Sequence, residues 1–220
     1  MLFNPGSGHL DACKFFVEDC GVDPTVAVTK GRRDGRTALH WAARNGHVHV
    51  CEWLVASQHD DVNRPTKDGT TALMWAVWQG HVATCKALVR LGARLDARNS
   101  FGCTVAHWVA LGPTDNLVVA EWLGKQEVDW VVRNVQGHSC LHKAAWKGHR
   151  LLCAWLLGGM SLVNALEKDP DARVCSTHSG ALAVEQVEVH DEAGYSVADI
   201  AGLAGRKGLA AWLTAQLPAP

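Results

Sequence analysis

A nine-residue pattern returns along this chain at a nearly constant interval. It reads Gly35-Arg-Thr-Ala-Leu-His-Trp-Ala-Ala43, then Gly69-Thr-Thr-Ala-Leu-Met-Trp-Ala-Val77, Gly102-Cys-Thr-Val-Ala-His-Trp-Val-Ala110 and Gly137-His-Ser-Cys-Leu-His-Lys-Ala-Ala145. A weaker copy, Gly194-Tyr-Ser-Val-Ala-Asp-Ile-Ala-Gly202, follows. The leading glycines, Gly35, Gly69, Gly102, Gly137 and Gly194, are separated by 34, 33 and 35 residues and then by 57. A unit this short cannot bury its own apolar face. Repetition at this period therefore calls for stacked neighbours that share one continuous core.

Each unit reads as a turn and two helices. The TALHWAA-type segment predicts the first helix. A Gly-His step at Gly46-His47, Gly80-His81 and Gly148-His149 predicts the start of the second. There Val48, Cys51, Leu54 and Val55 fall at i, i+3, i+6 and i+7, a single apolar stripe.

Period, Thr-x-Leu-His-type motif and Gly-His step together resemble the ankyrin-repeat family. The resemblance covers nearly all of the chain outside 159–190 and implies an all-α solenoid of stacked helix-turn-helix units with short turn tips. About five repeats and an N-terminal half repeat are expected. The family's proline is absent, with Ala38, Ala72, Val105, Cys140 and Val197 in its place, and Met74 and Asp199 replace the motif histidine. Repeat three carries Pro113-Thr114 as an insertion and Asp115-Asn116 for Gly-His. Asp199 reads as degeneration in a terminal repeat. The organisation expected is a half repeat and cap at 1–31, repeats at 32–66, 67–99, 100–134 and 135–158, an insertion at 159–190 and a capping repeat at 191–220. The reduced first helix at the N-terminus is what a truncated product would show. Within the insertion, 167–173 reads as an exposed loop, and 184–189 alternates loosely, as a strand or hairpin finger would.

His9/Cys13, His47/Cys51, His81/Cys85 and His149/Cys153 form a recurring His-x-x-x-Cys pair. Residues four apart share a helix face, and imidazole with thiolate is zinc chemistry. Each pair supplies only half of a four-ligand site, however, and successive repeats stand about 10 Å apart. Ala120 and Ala210 fill the cysteine slot elsewhere, so the slot reads as buried, where cysteine behaves as a small hydrophobe. The resemblance implies that the Gly-His histidines bridge repeats and that His40, His107 and His142 tie the turn to the first helix. No metal site, cofactor or catalytic residue is expected. The chain has no Gly-x-Ser-x-Gly elbow, P-loop, Gly-x-Gly-x-x-Gly or His-Glu-x-x-His. Asp19, Asp23, Asp60, Asp61 and Asp129 read as turn and cap residues.

The formal net charge of −1 gives no long-range attraction to nucleic acid or an anionic membrane. No apolar run approaches the roughly 20 residues that span a bilayer. With no secretory signal at the N-terminus, the eight cysteines fit a reducing compartment, cytoplasmic or nuclear.

Ten tryptophans are the compositional anomaly. Trp41, Trp75 and Trp108 share a first-helix slot that packs at least partly on the next repeat, and Trp53, Trp122, Trp155 and Trp212 share a second-helix slot read as core. The resemblance implies a concave groove built from the turn tips and the exposed side of the first helices. Carried onto this chain, that groove is lined by Arg33, Arg36, Arg44, Lys67, Asp68, Trp78, Gln79, Phe101, Leu111, His138, Trp146, Lys147 and Tyr195. Its N-terminal end is basic, with Lys30 and Arg32 beside Arg33, Arg36 and Arg44. Its middle is apolar, and Arg44, Trp78, Leu111 and Trp146 occupy equivalent positions. Trp78 and Trp146 either anchor a partner or fold down over the stack. Tryptophan and arginine are the commonest binding hot spots. The function expected is a non-catalytic, monomeric scaffold or adaptor that binds a protein offering an apolar segment flanked by acidic residues. The alternatives are a thiol- or metal-responsive sensor and the recognition segment of a larger multidomain protein.

Overall fold

The computed structural model describes residues 8–27, 35–58, 60–158, 187 and 189–216. Among them the regular structure is helical, with no strand. The chain divides into two compact units, Met1–Trp108 and Val109–Pro220.

The first unit opens with α1 (Leu10–Lys14), which runs into a short π-helical segment, Phe15–Asp19. Two helical pairs follow, α2 (Ala38–Arg44) with α3 (Val48–Ser57) and α4 (Ala72–Gln79) with α5 (Val82–Arg90), and then α6 (Val105–Leu111) begins. First helix packs on first helix, α2 on α4, and second on second, α1 on α3 and α3 on α5. Helices of 7 to 10 residues are too short to be stable alone, so packing holds them. Leu39, Leu54, Leu73, Met74 and Leu88 are fully buried between the pairs, and burying one such side chain contributes about 1.5–3 kcal/mol.

The second unit continues with α7 (Leu117–Gly124), α8 (Cys140–Lys147), α9 (150–158), α10 (Val197–Leu203) and α11 (Lys207–Thr214). α8 packs on α10, and α10 pairs with α11. Leu123, Leu141, Leu152, Leu157 and Leu213 form its core.

Repetition reaches the level of single bonds. Four turn tips close with the same backbone bond, from Thr66 to Thr70, Asn99 to Cys103, Asn134 to His138 and Asp191 to Tyr195. α2, α4, α8 and α10 each begin at an extended residue with a hydroxyl, Thr37, Thr71, Ser139 and Ser196. In α2 and α8 the cap is reciprocal: the hydroxyls of Thr37 and Ser139 accept from a backbone N–H one turn on. There the Nδ1 atoms of His40 and His142 accept from the cap's own N–H. Thr104 N–H donates to His107 in the same way. Met74 offers no acceptor, so α4 keeps only half the cap, Met74 N–H to Thr71 Oγ1. Asp199 corrects the reading of degeneration: its Oδ2 accepts from the Ser196 N–H and hydroxyl, a complete capping box built from a carboxylate.

The Gly-His step has a steric reason. Gly46 has φ 80° and lies against the His81 ring of the next pair, where an added Cβ would sit 2.8 Å from Nδ1. Gly148 has φ 82° and meets Arg206, which stands where the next Gly-His histidine would be. In repeat three the carboxylate of Asp115 accepts from Leu152 N–H at the start of α9, and His149 Nε2 donates to the Gly112 carbonyl.

Candidate recognition site

Four tryptophans and two arginines meet on the first-helix side of the first unit. Trp41 and Arg44 lie one turn apart on α2, and Trp75 and Trp78 one turn apart on α4. Trp108 lies on α6, and Arg36 precedes α2 at the turn. Because the repeats stack in register, residues at one slot fall beside one another. Trp75 meets Trp108 edge to face at 5.2 Å and Trp78 at 5.7 Å. The Arg36 guanidinium lies 4.2 Å from the Trp75 ring centre and 5.3 Å from that of Trp41. Arg44 lies 5.7, 5.3 and 5.5 Å from the rings of Trp41, Trp75 and Trp78. Each contact contributes about 0.5–1 kcal/mol at an exposed site. Together they hold two flexible cations in fixed positions, and a stacked guanidinium still presents donors at its edge.

The remaining groove residues are placed as follows. Arg33, Lys30 and Arg32 lie outside the described residues, as does most of the 159–190 insertion. Lys67 and Asp68 are exposed at a turn tip. Burial pushes the Asp68 carboxyl up, but bonds from Thr66 and Thr70 outweigh it and leave the carboxyl below its ordinary range. Gln79 is half-buried, and Phe101 is 57% exposed at the next tip. Trp78 is half-buried, folded against Trp75 and beneath Arg44, the second of the two placements open to it. Trp41, Trp75 and Trp108 are half-buried too and form the floor of the cluster, a role their packing slot did not disclose.

In the second unit Trp146 is 55% exposed and Tyr195 44%, Lys147 is exposed and Leu111 half-buried. Leu203, 66% exposed, occupies the α10 position equivalent to Trp146 and belongs with it. His138 is committed: Nε2 donates to Asp191 Oδ2 at 2.9 Å, and Nδ1 accepts from Lys143 at 2.8 Å. Burial first, and then the Lys143 charge, push this imidazole below its ordinary value. Of the second-helix tryptophans, Trp53 and Trp212 are buried, whereas Trp122 and Trp155 are only half-buried. Trp155 lies at the edge of its stack, beside Gly124 and 5.0 Å from Trp130.

The recurring cysteines are buried. Burial raises the Cys51 and Cys85 thiols to about 12, and pushes those of Cys140 and Cys153 well above the ordinary thiol value too. A thiol held that far above neutrality forms little thiolate, the species that ligates metals and reacts. Among the described residues no three His, Cys, Asp or Glu side chains come together as ligands, and no helix is long and apolar enough to cross a membrane.

The family model for ankyrin repeats, three copies, matches residues 4–99, the segment holding Arg36, Arg44, Trp41, Trp75 and Trp78. A search of curated proteins found no match.

Proposed function

With residues 4–99 belonging to the ankyrin-repeat family, we propose that this chain is a non-catalytic scaffold or adaptor. It binds another protein through the groove formed by its turn tips and first helices. Ankyrin repeats are generally protein-interaction modules. The chain acts as a monomer, and the repeats of its first unit present this groove. The observation that carries the reading is the arginine–tryptophan cluster. Two guanidiniums are fixed by stacking beside apolar rings, so little side-chain freedom is left to lose on binding. The partner offers an apolar segment for the tryptophans and acidic residues for Arg36 and Arg44. Lys67 at a turn tip sets its polar rim, and in the second unit Trp146, Tyr195 and Lys147 offer a contact of the same apolar and charged kind.

Affinity capture from a native lysate tests this, comparing the chain with its Arg36→Ala/Arg44→Ala double variant after circular dichroism has shown both folded. A protein held by the first and lost from the second identifies the partner. Equal capture by both removes the cluster from the binding surface.

A further inference from the structure

Three donors in the arginine–tryptophan cluster have no acceptor. Trp75 Nε1, Trp108 Nε1 and Arg44 Nε are all buried, and none has a hydrogen-bond partner among the described residues. An indole N–H and a guanidinium N–H only donate. A buried donor without an acceptor costs about 1–3 kcal/mol, and native structures hold few of them. Three within one cluster, two of them on rings 5.2 Å apart and the third on a guanidinium 5.3 Å from one of those rings, share one deficit. Each lacks an acceptor, and the guanidiniums of Arg36 and Arg44 over the Trp75 ring are positive.

We propose that this cluster is a carboxylate seat: an aspartate or glutamate side chain of the partner enters over Trp75. There it accepts from the indole N–H groups of Trp75 and Trp108 and from Arg44. This rests on the reading of the groove as a protein-binding surface and names the group that the surface selects. Charge decides the occupant. A neutral carbonyl would satisfy one donor and bring no charge to meet that of Arg44, whereas a carboxylate has two oxygens and about four acceptor sites. Bonds from charged donors to a carboxylate are also the strong ones. The guanidiniums that now cover the indoles need only slide along the ring faces to admit it, since stacking on tryptophan constrains distance more than in-plane position.

The test uses the full chain labelled with nitrogen-15, in which each indole N–H gives its own resonance. Trp75→Phe and Trp108→Phe assign the two signals, and each removes one donor while keeping a ring. The probe is the peptide acetyl-Glu-Leu-Glu-Leu-Glu-amide, with its glutamine counterpart and inorganic phosphate as comparisons. The expected result is a downfield shift of both indole signals with the glutamate peptide. The glutamine peptide leaves them in place, and each phenylalanine variant and Arg44→Lys weakens binding about tenfold. Glutamate-peptide binding that leaves both signals unmoved, or equal binding of the glutamine peptide, overturns the seat while the groove reading stands. Equal shifts with phosphate overturn the assignment to a carboxylate in favour of a general oxyanion site. Absence of binding by any probe overturns the seat. The groove reading then depends separately on the lysate comparison, in which loss of capture by the arginine double variant sustains it and equal capture ends it.

Discussion

Acid should loosen this fold through its capping histidines before it protonates most carboxylates. His40 and His142 are each 1% exposed and accept the cap N–H through Nδ1, so both are held neutral. Burial is the main cause, joined by the positive charge of Arg36 for His40 and by neighbouring His138 for His142, and each folded pKa falls to about 4. The ordinary value is about 6.5. A base whose folded pKa is depressed binds protons more readily when unfolded. Its contribution is therefore complete above pH 6.5 and is lost as the pH falls from there toward 4. Between pH 7.5 and 5.0 the linkage relation gives a loss of about 2 kcal/mol for each of the two histidines. Buried Asp60 and half-buried Asp115, whose carboxyls desolvation raises above the ordinary range, act in the opposite direction. A variant isolates the histidine. His40→Met copies what Met74 already does in α4, keeping the threonine half of the cap. It should cost about 1 kcal/mol at pH 7.5 through the lost half-cap and remove about 2 kcal/mol of acid sensitivity, leaving it more stable than the parent at pH 5.0. Urea unfolding followed by tryptophan fluorescence at the two pH values reads this difference. If parent and variant lose the same stability between pH 7.5 and 5.0, the assignment of a depressed pKa to His40 is wrong.

Three further outcomes follow from the packing. Gly46→Ala places a Cβ 2.8 Å from the His81 ring at φ 80°, and thermal unfolding should show a loss of about 1–2 kcal/mol; an unchanged midpoint would mean that the ring moves freely. Asp199→Ala removes the carboxylate half of the α10 capping box and should cost about 1 kcal/mol, whereas an ornamental Asp199 would cost nothing in urea. Under a thiol-reactive chromogen in native buffer, exposed Cys20 should react quickly while buried Cys51, Cys85 and Cys153 wait for unfolding. Equal rates would revive the thiol-sensor alternative.

The helix pairs were legible because the repeated first-helix segment, the apolar stripe and, in most repeats, the Gly-His break are all local signals. The site was legible only in part. Arg36, Arg44 and Trp78 were visible as groove positions, since distance from the leading glycine defines them. That Trp41 and Trp75 lie beneath the guanidiniums, with Trp108 against Trp75, was not visible, because a shared slot tells which residues are equivalent and not how far one ring reaches toward the next repeat. Trp122 and Trp155 illustrate the same limit, since their slot buries Trp53 and Trp212 but leaves these two half-covered. Asp199 misled for a different reason. The family signature names a histidine, while the physics of the cap asks only for an acceptor one turn into the helix. The orphaned donors of Trp75, Trp108 and Arg44 left no trace in the sequence, because a missing acceptor is a property of three-dimensional neighbours.

The central claim is that the arginine–tryptophan cluster is where the partner docks. Amide hydrogen exchange on the full chain, with and without the protein captured from lysate, tests it most directly. Docking there predicts slowed exchange on binding in 35–45 and 70–80, the stretches carrying Arg36, Arg44, Trp75 and Trp78. Protection confined to α3 and α5, or to the second unit, with 35–45 and 70–80 unchanged, would contradict it.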